Sequence, residues 1–358
     1  MDRRDHQISL RRGLVAMTGY LLQAAERRRL ICEQAGNALS LPPVSIEKDF
    51  WVCWILREMF SIPGWGENLT FKGGTSLSKC WGLIHRFSED IDIVIDKGFL
   101  GFGGEHSPED APSSKQRRKR LEAMRETAQR RIHGTLAPLL AERIGDSLSG
   151  SDLWDLRPAS PVDDPDGQTL LFTYPSATNR EDSYIRQLVK IEMGAGSDNE
   201  PVEATEVHPY LYDAFPDILG TSVFRVRTLA AERTFWEKAM LLHEETLRPP
   251  DRKRPSRLAR HYYDLWCLIR SGVAERAAKR EDVFRRAARH REIYFNWSWM
   301  DYATLNRGKL RLVPPPQQAA EWRRDYLAMS REMFFGEIPE FDEVLQVIED
   351  FQNRFNSG

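Results

Sequence analysis

Phe71-Lys72-Gly73-Gly74-Thr75-Ser76-Leu77-Ser78, followed by Arg86-Phe87-Ser88-Glu89-Asp90-Ile91-Asp92, is the stretch on which the fold turns. Leu69 to Lys72 is short and partly β-branched or aromatic, the pair Gly73-Gly74 follows at once, and Thr75 to His85 has helical character. That order reads as strand, glycine turn, helix. Beyond it Ile91, Ile93 and Ile95 alternate with Asp90, Asp92, Val94 and Asp96, the period of a strand with one apolar and one acidic face. A glycine pair between strand and helix lets the backbone approach a ligand closely, and the N–H groups of a helix start point at an anion. Asp90 and Asp92, two apart on a strand, project from one face at about 6 to 7 Å between Cα atoms. Two anions so placed call for a cation, and hard oxygens beside phosphate are the usual setting for Mg²⁺.

Working outward, residues 8 to 35 have helical spacing through Leu14, Met17, Leu21, Leu22 and Leu30. Ser45 is a serviceable N-cap for an apolar, tryptophan-rich helix from Ile46 to Phe60. Residues 100 to 112 read as loop, the basic stretch to about 144 as a helical insertion, and 145 to 168 as loop again. Gln168 to Tyr174, Gln187 to Met193 and Val223 to Arg227 are candidate strands, followed by helices over Leu229 to Glu245, Ser256 to Arg270 and onward. The expected class is α+β. A helical segment over 1–61 precedes a mixed-sheet lobe over 62–227 with its insertion near 112–145, and a helical domain over 228–358 follows.

The 358 residues suit two lobes. Apolar residues make up 41% and charged ones 29%, the mixture of a soluble globular protein. No apolar run approaches the roughly 20 residues that span a bilayer, and the opening Met1-Asp2-Arg3-Arg4-Asp5-His6 lacks a signal peptide's apolar segment, so no membrane partner is expected. Cys32, Cys53, Cys80 and Cys267 form no CxxC pair, which argues against zinc and disulfide frameworks and for a reducing cytoplasm. Net charge is −2 from 51 basic and 53 acidic side chains, yet the basic ones run in blocks. One is Arg117-Arg118-Lys119-Arg120 with Arg125, Arg130 and Arg131; another lies over 252–260; a third runs from Arg276 to Arg291. Such blocks suit a polyanion lying across one face, or are simply solvated helix faces.

Three later segments add candidates. Glu192, in Leu188-Val189-Lys190-Ile191-Glu192-Met193, sits in an apolar strand where a lone acid is costly, and with Asp90 and Asp92 it would make a third carboxylate able to hold two ions. Lys190 shares its face, and a solvated Lys–Glu pair is the bland alternative. Lys238 on the helix from Leu229 is a compact cation suited to triphosphate charge, and Arg260 offers a planar fork for phosphate. Asp264, between aromatic and leucine neighbours, is either half of a buried pair or a site residue.

Taken together, Lys72 to Lys79, Arg86 to Asp92, the later Glu-Lys helix and Arg260-His261-Tyr262-Tyr263-Asp264-Leu265 closely resemble the AbiEii/AbiGii-type nucleotidyltransferase toxins, relatives of the MenT toxins, in scattered blocks over residues 45 to 270. The resemblance implies a DNA polymerase β-like nucleotidyltransferase lobe with Gly73, Gly74, Thr75 and Ser76 near the triphosphate. It implies metal ligands Asp90 and Asp92, Glu192 as third carboxylate, Lys238 as triphosphate contact and Asp264 as a later acid. It further implies Mg²⁺, an NTP substrate, an RNA acceptor such as a tRNA 3′ end seated by Arg117, Arg118, Lys119 and Arg120, and an antitoxin. The interval from Gly74 to Asp90 is long for the wider superfamily and agrees with this toxin branch. Two rival readings share the turn and the aspartates: an antibiotic-type transferase acting on a small molecule, which needs no extended cationic surface, and a non-catalytic nucleotide-binding protein, whose signature would be a lost carboxylate.

Overall fold

Edge strands, rather than the core, are where the chain departs most from its sequence pattern. The computed structural model describes residues 17–149, 153–178, 186–195, 198–216 and 222–358; the beginning of the helix expected over 8 to 35, and the opening six residues, lie outside them. Two compact units are formed. The first comprises the chain up to Cys80, 89–197 and 202–228; the second comprises 81–88, 198–201 and 229–358.

In the first unit, α1 (Ala25–Leu39) ends at Ser40, whose φ of 56° is left-handed, and α2 (Pro43–Phe60) follows. The helix begins at Pro43 rather than after Ser45, because proline at the first helical position gives up an N–H that has no intrahelical partner anyway. Ser45 lies inside it, and every residue from Ser45 to Phe60 is buried, so α2 is a core helix without a solvent face. Then come β1 (Leu69–Lys72), α3 (Gly73–Lys79) and β2 (Ile91–Ile95). The helix stops at Lys79 and does not reach His85. The basic stretch forms α4 (Ser114–Arg131), with Ser113 accepting at the N-cap from the Gln116 N–H, and after one π-turn α5 (Ala137–Ser147). The unit is completed by β3 (Asp155–Pro158), β4 (Thr169–Thr173), β5 (Leu188–Ala195), β6 (Val202–Val207), the short α6 (Tyr210–Ala214) and β7 (Phe224–Leu229, whose last residue belongs to the second unit).

The strands make one seven-stranded mixed sheet in the order β3-β4-β5-β2-β1-β7-β6. Antiparallel β1–β2 pairing sets Lys72 opposite Asp92, and parallel β2–β5 pairing sets Asp92 opposite Glu192. Ile91, Ile93, Val94, Ile95, Val189 and Ile191 are fully or almost fully buried. The sequence pattern misses β3 and β6, and these are the two strands at the sheet's edges. Asp155-Leu156-Arg157-Pro158 is mostly exposed and β6 carries Glu203 and Glu206, the charged, short composition that protects an edge from further pairing and also hides it from a hydrophobic-period reading.

The second unit is helical: α7 (Ala231–Thr246), α8 (Arg260–Arg270), α9 (Val273–Ala278), α10 (Glu281–Tyr294), α11 (Pro316–Met333) and α12 (Phe341–Ser357). Its core holds Trp236 edge-on to Phe284 at 4.8 Å between centroids and tilted against Phe355 at 4.9 Å. Helix α8 starts four residues later than Ser256, since Arg257 has φ 66° and Asp325 holds the Arg257 and Ala259 N–H groups at 2.7 and 2.8 Å.

Candidate active site

Gly73 has φ +79°, a backbone that residues with a side chain rarely adopt. A Cβ there would lie 1.9 Å from Asp92 Oδ2, so this glycine makes room for the carboxylate of the next strand as well as for the turn. Thr75 Oγ1 donates to the Asp90 carbonyl at 2.5 Å, and Ser76 Oγ donates to the Gly73 carbonyl at 2.9 Å. Both residues are buried. Their hydroxyls therefore brace the turn against β2.

Asp92 lies on β2, and Asp90 sits one residue before the strand begins. The pair is nevertheless close enough, with Glu192 across the sheet, for each acid to disfavour ionisation of its neighbour. Burial, the charge of Glu192 and then that of Asp90 push the Asp92 carboxyl up to about 7 against the opposing pull of Lys72, and a hydrogen bond with Glu192 adds to the rise. Asp90 is likewise raised by burial and by Glu89 and Glu192, against Lys190 and Lys48. Glu192 is not the lone acid in an apolar strand that its sequence suggests: its side chain is 42% exposed and ion-paired with Lys190. Burial opposes the Lys190 charge, while the hydrogen bond and charge of Glu192 and the two aspartates raise its pKa overall.

The donor set fits a hard divalent cation. Asp90 and Asp92 offer carboxylate oxygens at a glycine turn, and both are half-buried acids whose carboxyl neighbours repel them. Mg²⁺ is commonly held by only one or two protein carboxylates, with water and phosphate completing its shell. Among the described residues no three His, Cys, Asp or Glu side chains are already gathered around one point, and Glu192 is engaged by Lys190. Asp90 and Asp92 would thus be the ligands that hold the cation.

A second cluster lies within the helical unit. Asp264, fully buried, accepts from Arg86 Nε and Nη2 at 2.6 and 2.8 Å and from Lys238 Nζ at 2.8 Å. Burial alone would raise its carboxyl, yet Arg86 and then Lys238 hold it well below the usual range. Burial and Arg86 lower Lys238 despite the attraction of Asp264. So Asp264 is half of a buried charge cluster, and the cation committed to it besides Lys238 is Arg86, which sequence reasoning quotes without a role. Arg260 is half-buried at the start of the same helix, donating to the Arg257 carbonyl at 2.8 Å.

The basic blocks divide. Arg118 and Lys119 are exposed on α4 and Arg117 is half-buried, whereas Arg120 donates to the Ser107 carbonyl at 2.7 Å. The block from Arg276 to Arg291 is neutralised in place: Arg276 pairs with Glu232, Arg280 with Asp282, Arg285 with Glu281, Arg286 with Asp198 and Arg291 with Glu244. No described helix is long and apolar enough to cross a membrane.

Comparison with known proteins finds a matching family and distant structural likenesses. The crystal structure of JHP933 from Helicobacter pylori is similar at 14% identity and a TM-score of 0.39, over 87% of this chain and 90% of that one. No curated protein matches. The model of the family described as nucleotidyl transferase AbiEii toxin, type IV toxin–antitoxin system, matches residues 54–347, a span that takes in the glycine turn, Asp90, Asp92, Glu192 and the Arg86–Asp264–Lys238 cluster. With most of its length inside that match, the chain belongs to the AbiEii nucleotidyl transferase toxin family.

Proposed function

We propose that this toxin transfers a nucleoside monophosphate from an NTP to an RNA hydroxyl, with a tRNA 3′ end as acceptor, and that cells expressing it without its antitoxin stop growing, as in abortive infection. The observation that carries the reading is Asp92: a half-buried acid, seated against a glycine that no larger residue could replace without displacing it, and repelled by Glu192 and Asp90. A carboxylate whose like-charged neighbours outweigh its counter-charge is costly to a fold, and such groups concentrate at functional sites.

In this reading the residues act as follows. Gly73 and Gly74 let the triphosphate approach the backbone, while Thr75 and Ser76 keep the turn rigid through their bonds to the Asp90 and Gly73 carbonyls. Asp90 and Asp92 hold Mg²⁺, which when bound supplies charge neutralisation for the α-phosphate and the leaving pyrophosphate. The acceptor oxygen attacks the α-phosphorus as the bond to pyrophosphate breaks, and we assign Glu192 to take the hydroxyl proton. Lys190 steadies Glu192 until substrate arrives. Arg118 and Lys119 on α4 supply a salt-dependent seat for the RNA backbone.

The test is purified protein with labelled NTPs and Mg²⁺, offered total tRNA in one arm and a panel of aminoglycosides in another, together with mass spectrometry of cellular RNA after induction. Label at a tRNA 3′ end in the wild type and its loss in Asp92→Ala supports the reading. Label on the aminoglycoside replaces the acceptor with a small molecule, and no label in either arm removes the transferase reading.

A further inference from the structure

Near the start of α2, Glu47, Lys48 and Asp49 are three consecutive charges ahead of the apolar run from Phe50 to Leu56, and all are buried, at 0, 2 and 5% exposure. Successive residues on a helix point about 100° apart, so the three reach different neighbours. Glu47 accepts from Ser176 Oγ at 2.6 Å, the Ala177 N–H at 2.6 Å, the Thr178 N–H at 3.0 Å and Thr178 Oγ1 at 2.5 Å. Asp49 accepts from Lys79 at 2.8 Å and from the Tyr210 N–H at 2.6 Å. Lys48 donates to the Glu89 carboxylate and, at 3.0 Å, to the Arg186 carbonyl. Glu89 immediately precedes Asp90, and Arg186 is two residues before β5, the strand of Glu192.

We propose that Lys48 is a positioning residue for the carboxylate site: by holding Glu89 and the Arg186 carbonyl it fixes where Asp90 and the start of β5 stand. This rests on the reading of Asp90 and Asp92 as cation-binding groups. Packing does not require a lysine here, since an apolar side chain of similar length would fill an interior helix position without a charge to compensate. Nor does Glu89 need the pair for burial, because its side chain is 31% exposed. What the pair accomplishes is to tie the residue beside Asp90 to a rigid helix, the kind of support that keeps ligand groups within a fraction of an ångström of their working place.

The sign of one measurement separates position from charge. Removing a cation near Asp90 tightens Mg²⁺ binding if charge alone matters; losing the anchor loosens it. Lys48→Met in the full-length protein is expected to raise the half-saturating Mg²⁺ concentration, read from the Mg²⁺-dependent rise in melting temperature without nucleotide, about five- to tenfold. Its kcat at saturating Mg²⁺ falls about tenfold or more, with KM for NTP within twofold, and Lys48→Arg recovers most of both losses. Glu89→Ala, at a part-exposed site that leaves the core untouched, gives the same kcat loss at saturating Mg²⁺, and the double variant is no worse than the poorer single one. Tighter or unchanged Mg²⁺ binding in Lys48→Met, additive losses in the double variant, or wild-type kcat in Glu89→Ala overturns the inference; the last stands even if Lys48→Met does not fold. Asp92→Asn runs alongside. If the wild type shows a Mg²⁺ shift that Asp92→Asn lacks, the underlying reading holds and the Lys48 results are judged alone; if the wild type shows none, that reading fails and takes this one with it.

Discussion

Asp92, half-buried on β2, and Asp264, fully buried on α8, live in opposite electrostatic surroundings. Asp264 has two cations within hydrogen-bond distance and stays ionised far into acid. Asp92 has Glu192 and Asp90 as neighbours, which with desolvation outweigh the pull of Lys72, and is pushed up to about 7. The contrast separates a charge that the fold has already compensated from one that it has left for something else to compensate. Burial alone does not mark a functional acid; an excess of like charge over counter-charge does.

The sharpest way to break that contrast is to neutralise each acid. Asp92→Asn should lower transfer by about a thousandfold or more, a loss of roughly 4 kcal/mol in transition-state stabilisation, while raising the metal-free protein's stability by about 1–3 kcal/mol. The sign follows from its raised pKa: the folded state resists ionising this group, so the penalty is absent near pH 4, grows as pH rises and is complete above about 7. Thermal melts of both proteins in chelator from pH 4 to 8 should diverge in the variant's favour. A variant less stable than wild type at pH 8 would show that Asp92 is compensated after all.

Asp264→Asn should act in the other direction. It leaves Arg86 and Lys238 buried with a neutral partner, and breaking such a cluster costs about 3–5 kcal/mol. Because the folded pKa is depressed, the contribution of Asp264 is fully present above about 4 and is lost as pH falls below that value. Urea unfolding at pH 7 and pH 3 should therefore show a large gap between variant and wild type that narrows in acid. Equal gaps at the two pH values would assign the cost to packing.

Gly73→Ala sharpens the comparison from the backbone side. The new methyl meets the Asp92 carboxylate and sits at a left-handed φ, so a stability loss of about 1–3 kcal/mol is expected together with weaker Mg²⁺-dependent stabilisation. Loss of stability with Mg²⁺ binding intact would mean that Asp92 can move aside and still bind.

How much of this was legible in the sequence depends on whether the deciding partner was local. The strand, glycine turn and acidic strand are contiguous and follow a period, so the central sheet could be read directly, as could the family. Gly73 could be expected at a turn, but its contact with Asp92 spans nineteen positions and needed coordinates. Asp264 was left open between buried pair and site residue because Arg86 lies 178 positions away. Lys48 carried a signal that passed unused, three consecutive charges in an apolar tryptophan-rich helix. The edge strands β3 and β6 could not announce themselves, since their polar composition is what an edge requires.

The basic blocks offer the smallest effect and a second form of the same contrast between compensated and uncompensated charge. In the sequence, the blocks at 117–120 and 276–291 look alike. In the structure the second has an acid beside each of five arginines, three of those acids drawn from other segments, so those five are already engaged. Arg118 and Lys119 on α4 are exposed, and among the described residues neither forms an ion pair. Replacing both with alanine should leave stability within about 0.5 kcal/mol and flatten the dependence of log affinity on log salt by about 1.4 for single-stranded RNA, the release of two counterions. Replacing Arg280 and Arg285 should leave that slope within error. If the two double variants change the slope equally, pairing within the helix does not decide which cations RNA can use, and the seat on α4 loses its support.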